Sequence, residues 1–185
     1  MIRPAQPTDA PAIARLIILA MGKLAAKFAN SDDEQKQRDL FEHFVAVTGN
    51  QYSYNNILVW DEAGEVCGMI MAYDGAKLDE LRKPFLQYTT TQLGFTGQPE
   101  DETLPGEYYI DYLAVNPGHQ GKGIAKKLIN ALFNRTAQLN HQTVGLLVSK
   151  GNDKAKKIYI DLGFEVMGDK ALLGGVHEHL QYQVS

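Results

Sequence analysis

Val115-Asn116-Pro117-Gly118-His119-Gln120-Gly121-Lys122-Gly123-Ile124-Ala125 leads from the end of an apolar segment, through a glycine-rich turn, into the start of a helix. Glycine lets a backbone approach a ligand closely, and the first N–H groups of a helix have no internal partner. With the positive end of the helix dipole they form a cradle for phosphate. Two other phosphate loops fit poorly. A Walker A loop needs Ser or Thr after Gly-Lys, whereas Gly123 follows Gly121-Lys122. A dinucleotide fingerprint beginning at Gly121 needs a small residue where Lys126 stands, and it belongs near the first strand of its domain. A glycine-rich turn without a ligand is the alternative that the glycines alone leave open.

The flanking pattern predicts a strand over residues 108–115 and a helix over 121–139, with Ile124, Leu128, Ile129, Leu132 and Phe133 on its buried face. Residues 143–149 are almost wholly apolar, as in a strand buried on both faces. A helix over 152–162 ends at Gly163, and final strands are expected over 164–167 and 179–184. Nearer the start, residues 2–5 read as extended. Thr8 is placed to cap a helix carrying Ile13, Leu16, Ile17, Ala20, Leu24 and Phe28 at helical spacing. Asn30-Ser31-Asp32 ends it and starts a second helix, with Leu40, Phe41, Phe44 and Val45, that stops at Gly49-Asn50. Asp61-Glu62-Ala63-Gly64 joins strands over 57–60 and 66–73 as a hairpin. Residues 77–93 have helical spacing broken at Pro84, followed by an acidic, turn-rich stretch over 94–106. Strand–helix alternation predicts an α/β fold, and 185 residues predict one domain spanning 1–185.

With 44% hydrophobic and 22% charged residues, the composition excludes collagen-like, disordered and disulfide-dense classes. A single cysteine, Cys67, the lack of a secretory leader and the lack of a membrane-length apolar run predict a cytoplasmic protein with no membrane partner. Net charge of -4 argues against a nucleic-acid partner. Yet residues 122–157 carry +7, against -8 for 1–121 and -3 for 158–185. That basic segment is either a solvated lysine face or a surface that meets an anion.

Gln120-x-x-Gly123-x-Ala125 resembles the acyl-CoA pyrophosphate loop of the GNAT superfamily of N-acetyltransferases, whose pattern is Arg or Gln, two residues, Gly, one residue, then Gly or Ala. Tyr112-Leu113-Ala114-Val115 is similar to the strand before that loop. Asn152, Ala155, Ile158-Tyr159 and Leu162-Gly163-Phe164 are similar to the second signature. The resemblance covers about 107–167, with a weaker match over 1–28 and 57–73. It implies a mixed, strongly twisted sheet flanked by helices, splayed where two parallel strands part, with acetyl-CoA as co-substrate. Backbone groups of Leu113, Ala114 and Val115 would meet the acetyl and pantetheine portions. Gln120, Gly121, Lys122, Gly123, Ile124, Ala125 and Lys126 would surround the pyrophosphate. Among Lys122, Lys126, Lys154, Lys156 and Lys157, some would meet the remaining charge of coenzyme A. No metal is implied, and a homodimer is in keeping with the family.

Tyr159 lies seven residues after Asn152, almost two helical turns, so both share a face. The resemblance gives Tyr159 the role of proton donor to the leaving thiolate and Asn152 that of pantetheine ligand. Core packing for Tyr159 and helix capping for Asn152 are the structural alternatives. An amine nucleophile needs a base. Asp111 is the first candidate and Glu107 the second, both sharing strand parity with Leu113 unless a β-bulge resets the alternation. A structural, hydrogen-bonded carboxylate is the alternative for Asp111. His177 and His179 read as surface or substrate-side residues, Cys67 as a small buried apolar residue and Trp60 as packing. The function implied is acetyl transfer from acetyl-CoA to a primary amine, small molecule or peptide. A non-catalytic acyl-CoA sensor on the same fold is the alternative. Acidic Glu100, Asp101 and Glu102, near Glu107 and Asp111, favour a cationic acceptor unless they are solvated surface.

Overall fold

Residues 1–172 and 174–184 are described by the structure, a computed structural model. The sheet is built around β3 (Glu65–Asp74), where Met69 and Met71 enter the core on one side and Ile70 and Ala72 the core on the other. Burial on both faces explains its near-continuous apolar sequence. Its companions are β1 (Ile2–Pro4), β2 (Ile57–Glu62), β4 (Tyr108–Val115), β5 (Thr143–Ser149), β6 (Glu165–Leu172) and β7 (Gly175–Gln183). The seven strands run in the order β1-β2-β3-β4-β5-β7-β6. Among the described residues only β4 and β5 pair in parallel, so the sheet is mixed, as expected.

Helices α1 (Ala10–Met21), α2 (Lys23–Ala29), α3 (Glu34–Ala46) and α4 (Leu78–Leu93) cover one face through Ile13, Ile17, Phe28, Phe41 and Phe85. On the other face lies α5 (Ile124–Gln138), which buries Leu128, Ile129 and Leu132 completely or nearly so. Each such side chain contributes roughly 1.5–3 kcal/mol relative to exposure. The start of α5 is thereby held at a defined place beside the ends of β4 and β5. A shorter helix, α6 (Asp153–Ile160), is capped by Asn152, whose side chain accepts from the Ala155 N–H at 3.2 Å. Among the described residues no helix is long and apolar enough to cross a membrane.

Several expected boundaries move for identifiable reasons. The helix expected from Thr8 to Asn30 is two helices, because Gly22 adopts φ 57° and ψ -129° and turns the chain between them. Thr8 sits in a 3-10 turn, and Asp9, ion-paired to Arg3 at 2.7 Å, stands at the start of α1. The expected break at Pro84 does not occur: α4 continues through it. Burial of Leu78, Phe85 and Thr89, with Phe85 packed on Phe28, Phe41, Phe44 and Tyr52, holds the helix despite the lost backbone bond. The final strands are longer than expected. The exposed edge strand β6 has little apolar alternation to mark it, and its register slips between Val166 and Gly168.

β4 positions the site through two irregularities. Tyr112 pairs with Met71 and Ile110 with Ala72, which leaves Asp111 as an extra residue in a bulge. The alternation is reset there: Tyr108 and Ile110 join the α5-side core, as does Leu113, whereas Tyr112 and Ala114 join the opposite one. Tyr109 and Leu113 therefore do not share a face: the bulge resets the alternation, and the shared parity of Glu107 and Asp111 with Leu113, expected for a regular strand, does not hold. In addition, β4 and β5 pair only from Tyr108↔Val144 to Ile110↔Leu146 and then separate. The rest of β4 faces an opening between the two strands.

Candidate active site

The opening continues into a cleft of about 460 Å³. Its walls are Leu113 and Val115 from β4, the turn before α5, and Asn152, Lys154, Ala155, Ile158 and Tyr159 around α6. Gly121 and Gly123 have φ of 79° and 76°, left-handed values that favour glycine and turn the chain abruptly into α5. Both line the cleft together with His119, Gln120, Ile124, Ala125 and Lys126. The unpaired N–H groups at the start of α5 and its dipole favour an anion here. Gln120 does more than line the wall: its side-chain amide donates to the Val115 carbonyl at 3.1 Å, tying the turn to the end of β4.

Other residues expected around the cofactor occupy different surroundings. Ala114 is buried in the opposite core, so only its backbone edge is at hand. Lys122 is exposed and lies outside the cleft walls. Lys126 and Lys157 both pair with Asp161, at 3.2 and 3.1 Å. Lys156 is held by Glu178 at 2.8 Å and does not line the cleft. Lys154 and Lys126 are the lysines on the wall.

A second cavity, about 340 Å³, shares Leu113, Asn152, Ala155 and Tyr159 with the first. Its remaining walls include Met21 and Leu24, Glu102, Tyr109, Asp111, Tyr112 and His177. Tyr159 thus stands where the two spaces meet. Burial pushes its hydroxyl up to about 12, so it carries its proton at neutral pH. Asp111 accepts from Gln51 Nε2 at 2.6 Å and from the Tyr73 hydroxyl at 3.1 Å. Burial raises it to about 6, and the two hydrogen bonds oppose that rise. Glu102 is raised to about 8, first by burial and then by the charge of Asp111, with the positive charges of Arg82 and Lys170 opposing the rise. Two carboxylates thus face one confined space, and the burial of both, with the charge of Asp111 acting on Glu102, favours their protonated forms.

Glu107 is elsewhere. Its carboxylate is buried, accepts from the Leu104 N–H at 3.0 Å and from Gln181 at 3.1 Å, and meets His179 Nε2 at 2.9 Å. It fills the space beside Gly145, where a Cβ would come within 1.9 Å of its Oε2. Burial opposes ionisation, but these partners outweigh it and hold Glu107 below the usual range. Neither cavity includes it, because the contact with β5 and β7 turns it inward. The shift stabilises the fold above the ordinary glutamate value, and the contribution is lost as pH falls through the lowered one. Gly145→Ala is expected to cost about 1–3 kcal/mol by overpacking this carboxylate, seen as a lower midpoint in denaturant unfolding. An unchanged midpoint would mean that Glu107 can move away freely.

Some residues behind the walls escape a reading of the sequence. Gln51 and Tyr73 hold Asp111 from distant segments, and nothing in their local pattern marks them. His177, read from the sequence as a surface or substrate-side residue, lines the second cavity, with its Nδ1 buried and without a hydrogen-bond partner. The acidic run divides: Asp101 turns outward to Arg82, which also binds Asp79, and Glu102 turns inward.

The Acetyltransferase (GNAT) family model matches residues 19–164, and this chain belongs to that family. A crystal structure of an acetyltransferase is 30% identical, covers 100% of both chains and superposes with a TM-score of 0.85. An N-acetyltransferase from Staphylococcus aureus Mu50 is 26% identical, with 98% of this chain and 100% of that one covered and a TM-score of 0.84. A [ribosomal protein bS18]-alanine N-acetyltransferase from Haemophilus ducreyi is 40% identical over 63 residues, 34% of this chain and 43% of that one. The chain thus spans less than half the length of that curated relative.

Proposed function

We propose that this protein transfers the acetyl group of acetyl-CoA directly to a primary amine, and that the amine is cationic. The observation that carries this reading is the junction at Tyr159, where an anion-favouring cleft opens into a cavity walled by two carboxylates. The N–H groups from Gly121 to Lys126 would hold the pyrophosphate, with Lys126 and Lys154 beside it. The edge of β4 at Leu113–Val115 would bind the pantetheine arm as a missing strand, and Asn152 would contact it while capping α6. The Leu113 N–H would stabilise the oxyanion as the amine attacks the thioester carbon. As the C–S bond breaks, Tyr159 gives its proton to the departing thiolate, and Asp111 takes the proton lost by the amine, directly or through water. Glu107, turned into the sheet, would position β4 rather than act as the base.

Coenzyme A and acetyl-CoA are expected to raise the melting temperature by mass action, and NAD and ATP much less. A clear NAD or ATP shift with none for coenzyme A would contradict the cofactor reading.

The cationic acceptor rests on Glu102. An ammonium group entering the cavity draws Glu102 into its charged form, so KM should fall as pH rises toward about 8. Glu102→Gln is expected to raise KM for a diamine about tenfold, by removing a charge-assisted hydrogen bond, with a smaller change for a neutral amine. Equal effects on both amines would disprove charge recognition there. Because Asp101 is tied to Arg82, reversing its charge is expected to do little to KM.

A further inference from the structure

We propose that Glu62, Cys67 and His119 form a binding site for a divalent cation of the zinc class on the outer side of the cofactor cleft. Glu62 ends β2, Cys67 lies early in β3, and His119 comes from the turn before α5, so three separate stretches converge. Their candidate ligand atoms all lie within 4.8 Å of one another. His119 Nε2 stands 3.5 Å from Glu62 Oε2, long for a hydrogen bond between them. Two ligand atoms at about 2.0–2.1 Å from one tetrahedral zinc ion stand roughly 3.3 Å apart, close to this spacing. His119 Nδ1 is buried and has no hydrogen-bond partner, so the protein alone leaves both ring nitrogens poorly satisfied. The Cys67 thiol donates one weak hydrogen bond, to the Glu65 carbonyl at 3.4 Å, which metal ligation would replace.

Thiolate, imidazole and carboxylate together suit zinc, with water completing the tetrahedron; a hard cation such as magnesium would prefer oxygen alone. Glu62 is 54% exposed and gives the ion its way in. On binding, the Zn–S bond replaces the S–H bond and the thiol proton leaves to solvent; nothing is oxidised or reduced. His119 also lines the cofactor cleft. An ion that anchors it to the β2–β3 hairpin would steady the turn that carries Gly121 and Gly123. Metal and a nucleotide in the cleft should then strengthen each other's binding reciprocally. This coupling rests on the cofactor reading, but the site does not.

The test is titration of the metal-free 185-residue chain with Co²⁺. One equivalent should produce a thiolate-to-cobalt charge-transfer band, which Zn²⁺ removes. Cys67 is the sole cysteine, so the band reports on it alone. Cys67→Ser should abolish the band, and Glu62→Gln, at an exposed position, should weaken Co²⁺ binding about tenfold or more. No band at stoichiometric Co²⁺, or a Glu62→Gln protein that binds as tightly as the parent, overturns the proposal. The coupling is read separately, with 3′,5′-ADP as a thiol-free probe of the cleft. A tighter fit with Zn²⁺ present supports it. An unchanged affinity removes the coupling and leaves the site to stand on the band.

Discussion

Tyr159→Phe is expected to lower kcat by about 100- to 10,000-fold while acetyl-CoA affinity stays within about threefold. The hydroxyl is the only group removed, and the ring keeps its edge contact with Phe164, 5.5 Å between centroids. With the hydroxyl raised to about 12, the proton is present throughout the neutral range, as a donor to a leaving thiolate requires. A thiolate that departs without a proton source is a poorer leaving group, so the loss falls on the chemical step and not on binding. Turnover within a few-fold of the parent would return Tyr159 to core packing.

Asp111→Asn should be nearly as damaging, again about 100- to 10,000-fold in kcat/KM. Because the acid is raised to about 6, kcat/KM in the parent should fall as pH drops through that value, where the carboxylate takes up a proton and ceases to accept one. The variant should lack this limb. Stability should move the opposite way. A carboxyl raised above its unfolded value binds protons more tightly when folded, so its ionisation destabilises the fold as pH rises through about 6. Asn keeps an acceptor for Gln51 and Tyr73 without the buried charge, so the variant should melt higher at about pH 8. A purely structural carboxylate would give a protein less stable than the parent, with its pH profile retained.

Much of the candidate cleft is legible in the sequence because its residues are local. Gly121, Gly123 and the apolar stripe of α5 lie in one short stretch, and Asn152 and Tyr159 fall on one helix. The second cavity is less legible because its walls are assembled from afar. Asp111 owes its place to a one-residue bulge against Met71 and Ala72, which strand periodicity does not encode. Its partners Gln51 and Tyr73 are 60 and 38 residues away. Glu107 reads from the sequence as a candidate base because it is a carboxylate on the strand that enters the cleft. Only the tertiary packing of His179, Gln181 and Gly145 shows that its lone pairs are already engaged. β6 runs well beyond the 164–167 that the sequence pattern marks because an exposed edge strand needs no apolar face.

The most direct measurement is acetyl-CoA turnover, read as free thiol released, across diamines, basic peptide termini, neutral amines and acidic amino acids, with the acetylated product identified by mass. Amine-dependent thiol release with a product heavier by one acetyl group, fastest for the cationic acceptors, is the predicted result. Protection by coenzyme A without turnover on any of these amines would contradict the account and leave a sensor in its place.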